Sequence, residues 1–175
     1  MVQAWYMDSD EGDQKKPHQT NPPKFVTLEK LLTFGVHYWK IDSKDQLDKI
    51  VEDRGYNYND EVTCNKEKLP NYNEMMKKFF EEHVHPDDET RHVLDGSGYF
   101  DIRDPTTDTW IRIQVIKGDM ISVPAGLYHR YTNDENDYIH AQRFFKGTPV
   151  WTPYNRASGE HPSVAEYLKI FGKTQ

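Results

Sequence analysis

Apolar and polar positions alternate with two different periods along this chain, and the change falls near residue 83. Residues 1–7 alternate like a first strand, whereas 8–24, rich in Asp, Lys and Pro, read as an exposed loop with little part in function. Thr27 can cap a short helix carrying Leu28, Leu31 and Leu32, which Gly35 can end, and VHYWKI (36–41) reads as a strand. In KDQLDKIVEDR (44–54), Leu47, Ile50 and Val51 share one helical face, with Gly55 as the stop. After Pro70, NYNEMMKKFFEEH (71–83) predicts a helix whose Tyr72, Met75, Met76 and Phe79 face inward. From His83 to Val150 the pattern becomes short alternating strands. Turns fall at Gly96-Ser97-Gly98, Asp104 to Asp108, Gly118-Asp119, Pro124 to Gly126 and Asn133 to Asp137. Trp110, Ile111, Ile113 and Val115 supply bulk, Tyr138 to Phe145 adds a strand, and SVAEYLKIF (163–171) fits an amphipathic helix outside the sheets. The expectation is a mainly β chain, a small antiparallel barrel or double sheet with a few peripheral helices.

The junction holds the chemistry. In HVHPDDETRHVLDG (83–96), side chains of an extended strand alternate between faces, so His83 and His85 point one way and Val84 the other. Pro86, lacking a backbone donor, bends the chain with Asp87 and Asp88 before a strand on which Glu89, Arg91 and Val93 share a face. Glu89 is the third candidate ligand. The fourth is His129, in GDMISVPAGLYHRYTN (118–133), just past a Pro124–Gly126 reversal that can bring it to the other three. Four protein ligands would saturate a tetrahedral zinc, but on a six-coordinate ion they leave two positions free; three imidazoles and a carboxylate suit Fe(II) or Ni(II). The remaining histidines read as bystanders. His92 falls on the face opposite Glu89 and Arg91, His18 and His161 sit in Pro-flanked loops as solvated groups, and His37 and His140 lie in strands.

Two motifs carry a family resemblance. His83, His85, Glu89 and Gly96 resemble the first motif of the cupin superfamily, and Gly118, Pro124, Gly126, His129 and Asn133 resemble the second. With the opening MVQAWYMD, LPNYNEMMKKFFEEHVH, LDGSGYFDIRD and the tail PVWTPYNR, the chain resembles the eukaryotic acireductone dioxygenases. The resemblance implies a single cupin domain over 1–175, a double-stranded β-helix or jelly-roll barrel. Residues 1–80 would pack on it, 81–151 form the metal-binding core, and 152–175 form a tail with a short helix. It also implies an enzyme of methionine salvage. The substrates would be 1,2-dihydroxy-5-(methylthio)pent-1-en-3-one and O2, and the cofactor one Fe(2+) or Ni(2+) per chain, bound by His83, His85, Glu89 and His129. The iron form gives formate and 4-methylthio-2-oxobutanoate; the nickel form gives 3-methylthiopropanoate, formate and carbon monoxide. A divalent ion and one glutamate leave a single positive charge that an enediolate dianion reverses, so Arg91 is expected to orient and neutralise the substrate, with Arg143 as a second candidate. Phe79, Val93, Tyr131 and Trp151 would wall in the methylthio tail. A metal-dependent isomerase of small sugars or keto acids and a non-catalytic metal-binding cupin are the alternatives.

Composition narrows the setting. A formal charge of −7 over 175 residues excludes a broad nucleic-acid footprint, which needs clustered Lys and Arg. Neither a membrane-spanning run nor a leader is legible, so an integral membrane protein is not expected. A single cysteine, Cys64, rules out an internal disulfide framework and reads as a small buried hydrophobe. From the resemblance come a monomer in cytoplasm and nucleus, and possible contact with the cytoplasmic tail of a membrane-bound matrix metalloproteinase at the plasma membrane.

Overall fold

A computed structural model describes residues 2–172. Two antiparallel sheets share one long strand, β5 (Glu89–Arg103). The first half of β5 runs between β7 (Asp119–Val123) and β9 (Ile139–Phe145), with β2 (His37–Lys40) beyond β7 and β3 (Tyr58–Cys64) beyond β9. Its second half runs between β6 (Trp110–Ile116) and β8 (His129–Asn133). In that second sheet β1 (Gln3–Tyr6) flanks β6, while β4 (His83–Val84) and β10 (Tyr154–Asn155) extend β8. The crossing point is a register irregularity between Val93 and Asp95, next to Gly96. The turn expected at Gly96-Ser97-Gly98 is therefore absent: the chain bends there but keeps its ladder on both sides. A local bend accommodated by flexible residues and a reversal of direction read alike in sequence.

The amino-terminal part is more than a coat on the barrel, because β1, β2 and β3 are strands of the two sheets. β3 has no legible strand signal in the sequence, because Tyr58-Asn59-Asp60-Glu61 is too polar to suggest a ladder. Helices follow their local signals. Thr27 Oγ1 accepts from Lys30 N at 3.1 Å at the start of α1 (Leu28–Thr33), and Ser43 caps α2 (Lys44–Arg54), which ends at Gly55. Leu47, Ile50 and Val51 of α2 pack with Met120 and Phe144 on the outer face of one sheet, a second small core. The main core fills the barrel with Ile102, Ile111, Ile113, Val115, Ile121 and Val123. In α3 (Tyr72–Phe79), Tyr72 and Met76 are buried, and the helix ends four residues before His83. At the far end, α4 (Pro162–Phe171) buries Val164 and Tyr167, whose hydroxyl donates to Phe34 O at 2.7 Å.

Residues 8–24 form the mostly exposed loop expected, but they are pinned down and bury His18. They strap the outer face of the second sheet: Trp5 Nε1 donates to Pro17 O at 2.9 Å, and Arg112 donates to Gln14 O at 3.0 Å and Lys16 O at 2.5 Å. Arg112 and Asp101 are both fully buried and form an ion pair at 2.7 Å that Arg130 joins at 2.8 Å. His18, expected in solvent, is buried against Asp8 and Asp13 O because the strap folds back over it. No helix among the described residues is long and apolar enough to cross a membrane.

Candidate metal centre

The sheet arrangement explains how distant residues meet. β4 pairs with β8 through His83 opposite His129, and His129 also sits opposite Ile102 of β5. Glu89 opens β5 opposite Val123, just before the Pro124–Gly126 bend that leads to His129. That bend is tied to the first segment, since Gly126 N donates to His85 O at 3.1 Å and Ala125 N to Asp88 Oδ1 at 3.0 Å. One ligand atom from each of His83, His85, Glu89 and His129 lies within 4.8 Å of the others.

Each imidazole is oriented by the protein. His83 Nδ1 lies 2.6 Å from Glu81 O, His85 Nδ1 3.1 Å from Thr152 O, and His129 Nδ1 2.8 Å from Leu127 O. A carbonyl only accepts, so each Nδ1 carries the proton and each neutral ring has its Nε2 lone pair free. Backbone carbonyls behind ligating imidazoles fix tautomer and tilt in this way at metal sites. His129 Nε2 is 2.6 Å from Glu89 Oε2, and His85 Nε2 is 3.5 Å from the same oxygen. Lone pairs and a carboxylate converging so closely need a positive ion or a shared proton between them, so the donor set fits a cation.

The electrostatics favour the deprotonated donors. Burial, reinforced by His129 opposite, pushes His83 down to about 3, and burial lowers His85 as well. Burial alone would raise the Glu89 carboxyl, but the Arg91 charge and the facing imidazoles outweigh it and hold Glu89 well below the usual carboxylate range. Arg91, itself half-buried, pairs with Glu89 Oε1 at 3.1 Å and donates to Thr90 O at 3.1 Å. One carboxylate oxygen thus faces the imidazoles and the other faces Arg91.

A family model described as the ARD/ARD' family matches residues 3–153. The chain belongs to this family. Acireductone dioxygenase 1 of Physcomitrium patens is 53% identical to it over 99% of this chain and 91% of the relative. The acireductone dioxygenase of Homo sapiens is 50% identical, over 99% of both chains. Among solved structures, an acireductone dioxygenase from Bacillus anthracis with cadmium ion in its active centre superposes with a TM-score of 0.70 at 22% identity, covering 87% of this chain and 97% of that one. At that identity the likeness establishes the shared cupin fold.

In this ARD/ARD' family chain the four donors line a cavity of about 430 Å³. Phe79, Tyr131, Arg143 and Trp151 line it, as does Arg91. Val93 does not: it shares the Arg91 face but is fully buried among other core side chains, just before the point where β5 bends into the second sheet. Trp151 is at the rim, 41% exposed, with the Arg143 guanidinium 3.8 Å over its ring and Phe145 at its edge. Arg143 is committed to a two-bond pair with Asp60, both at 2.6 Å, which takes most of its charge away from any ligand. The rest of the lining went unread. Cys64 and Val62 come from β3, Phe100 from β5, and Ile139 and Ala141 from β9. Only Asp60, Val62 and Cys64 at alternate positions hinted at an inward face. Cys64 is buried, and burial raises its thiol. His92 points away from the donors, buried between Met120 and Gln142, with Nδ1 lacking a hydrogen-bond partner among the described residues.

Proposed function

We propose that this chain catalyses the dioxygenation of the acireductone 1,2-dihydroxy-5-(methylthio)pent-1-en-3-one in methionine salvage, at one Fe(II) or Ni(II) ion held by His83, His85, Glu89 and His129. The reading rests on one observation above all: three oriented Nε2 lone pairs and one carboxylate oxygen meet in the wall of a largely apolar cavity. Bound there, such an ion supplies Lewis acidity for the substrate's enediol oxygens and a partner for O2. The protein's own groups do the rest. The backbone carbonyls of Glu81, Leu127 and Thr152 hold the imidazoles in place, and Arg91 keeps Glu89 ionised while offering a fixed positive charge to an anionic substrate. Phe79, Phe100 and Tyr131 exclude water around the apolar tail, which strengthens that charge pairing.

The same proposal includes formate with 4-methylthio-2-oxobutanoate from the iron form, and 3-methylthiopropanoate, formate and carbon monoxide from the nickel form. A monomeric state and residence in cytoplasm and nucleus belong to it as well. Oxygen uptake with the acireductone, followed by product analysis on iron- and nickel-loaded protein, is the test. Both forms should consume O2, and only the nickel form should release carbon monoxide. Absence of uptake by either would overturn the reading.

A further inference from the structure

β8 runs from the metal donors into the barrel, with His129, Tyr131 and Asn133 at alternate positions on one face. Tyr131 therefore stands about 7 Å along the strand from the ligand residue, the span of a short chain attached to a molecule held at the donors. Its ring packs on Phe100, directly opposite across β5, with centroids 5.0 Å apart. Its hydroxyl donates to Asn133 Oδ1 at 2.8 Å. Asn133 is itself fully buried, and its amide donates to Cys64 O at 3.0 Å and Tyr72 Oη at 3.1 Å. Gly98, the residue paired with Asn133, leaves the room the hydroxyl occupies: a Cβ there would lie 2.3 Å from Tyr131 Oη.

We infer that Tyr131, clamped by Asn133 and admitted by Gly98, is the specificity-determining end wall of the tail pocket, admitting a short apolar tail and rejecting longer or polar-ended ones. This rests on the proposed acireductone reaction and adds to it the residue that measures the tail. Length is read because the ring is fixed at both ends, by Phe100 against its face and Asn133 at its hydroxyl. Polarity is read because the hydroxyl proton and both Asn133 contacts are already committed, so a hydroxyl or ammonium at the tail end would lose its water and find in exchange only the lone pairs of the Tyr131 phenol oxygen. In Tyr131→Phe the ring survives without its anchor; in Tyr131→Leu the wall recedes. In Gly98→Ala the new Cβ meets the Tyr131 hydroxyl and drives the ring toward the donors. Combining Gly98→Ala with Tyr131→Phe removes the atom in conflict.

The test uses metal-loaded protein and a series of acireductones in which the methylthioethyl tail is shortened, lengthened by one or two methylenes, or ended in a hydroxyl. Anaerobic calorimetric titration gives Kd without turnover, and oxygen uptake gives kcat and KM. Wild type should weaken about 10-fold or more per added methylene and for the hydroxyl end. Tyr131→Leu should flatten that length dependence, and the flattening should be read in Kd and KM across the series. Gly98→Ala should shift the preference to shorter tails, and the double variant should move it back. Equal length profiles in wild type, Tyr131→Leu and Gly98→Ala, with the parent acireductone still turned over, would overturn the assignment of Tyr131. No turnover of any tail by metal-loaded wild type would instead overturn the reaction itself. Should Tyr131→Leu fail to fold, the Gly98→Ala and Gly98→Ala/Tyr131→Phe pair decides the matter alone.

Discussion

Replacing Gly126 with alanine puts a methyl group where a helix already stands, close to the metal donors. Gly126 has φ +80°, a conformation that costs a residue with a side chain about 1–3 kcal/mol. The added Cβ would lie 2.1 Å from Ser163 O and 2.9 Å from Tyr167 Cβ, both on α4. The oxygen is backbone and cannot rotate away, so α4 has to retreat by about 1 Å to restore ordinary contact. Its retreat strains the Tyr167 hydrogen bond to Phe34 O and the packing of Val164. Overpacking of this kind adds about 1–3 kcal/mol. The midpoints of the two ranges sum to about 4 kcal/mol, which lowers Tm by about 8–16 °C in a chain of this size. The same bend supports two ligands, because Gly126 N donates to His85 O and Leu127 O accepts from His129 Nδ1. Metal affinity should therefore fall about 10–100-fold, the usual effect of disturbing groups behind a metal ligand. Gly147→Ala is the control: φ is +73° there but nothing lies within 4 Å of the new Cβ, so only the same conformational cost of about 1–3 kcal/mol applies. Urea unfolding of metal-free protein and competition against a chelator measure both quantities. If Gly126→Ala matches Gly147→Ala in urea midpoint and retains wild-type metal affinity, the coupling of α4, bend and ligands is wrong.

Three further outcomes follow from the site and the strap. In metal-saturated protein Arg91→Ala should reduce kcat about 100-fold, and Arg91→Lys should not rescue it because an ammonium lacks the planar fork; normal turnover in Arg91→Ala, read by oxygen uptake, would remove its assigned role. Acid should weaken the metal-free protein: His83 lies at about 3 when folded against 6.5 in the unfolded chain, so the unfolded chain takes up the proton first. Its contribution is whole above pH 6.5 and declines by about 2 kcal/mol between pH 6.5 and 5, with His85 acting in the same direction; an unchanged urea midpoint at pH 7 and 5 would contradict this. Arg112→Ala strands the buried Asp101 with Arg130 alone and frees the Gln14 and Lys16 carbonyls, so stability should drop by about 3–5 kcal/mol and 8–24 should become the first site of proteolysis. Cleavage that begins elsewhere at unchanged stability would refute the strap.

Helices α1, α2, α3 and α4 and most strands of the second half were legible because their signals are local: a cap, a stop glycine, an alternating face. The same holds for the convergence of His83, His85, Glu89 and His129, since strand alternation and two compact bends constrain four side chains over short distances. Where recognition depends on partners far along the chain, local pattern falls short. β3 carries too many polar residues to declare itself, yet Asp60 faces Arg143 and Cys64 faces the cavity once β9 lies beside it. Gly96 to Gly98 looks like a reversal until β6, β8 and β9 hold both halves of β5 in their ladders.

By itself, then, the order of residues determined which side chains could act as ligands, which segments could be helical and that the core had to be β. Tertiary structure alone decided that Val93 packs away from the cavity, that Arg143 spends its charge on Asp60, that the polar 8–24 segment becomes a strap over Arg112, and that the Tyr131 hydroxyl is tied to Asn133. The reason is physical: periodicity assigns a residue to a face, but what that face meets is set by strand order and register, which depend on contacts between segments far apart in the chain.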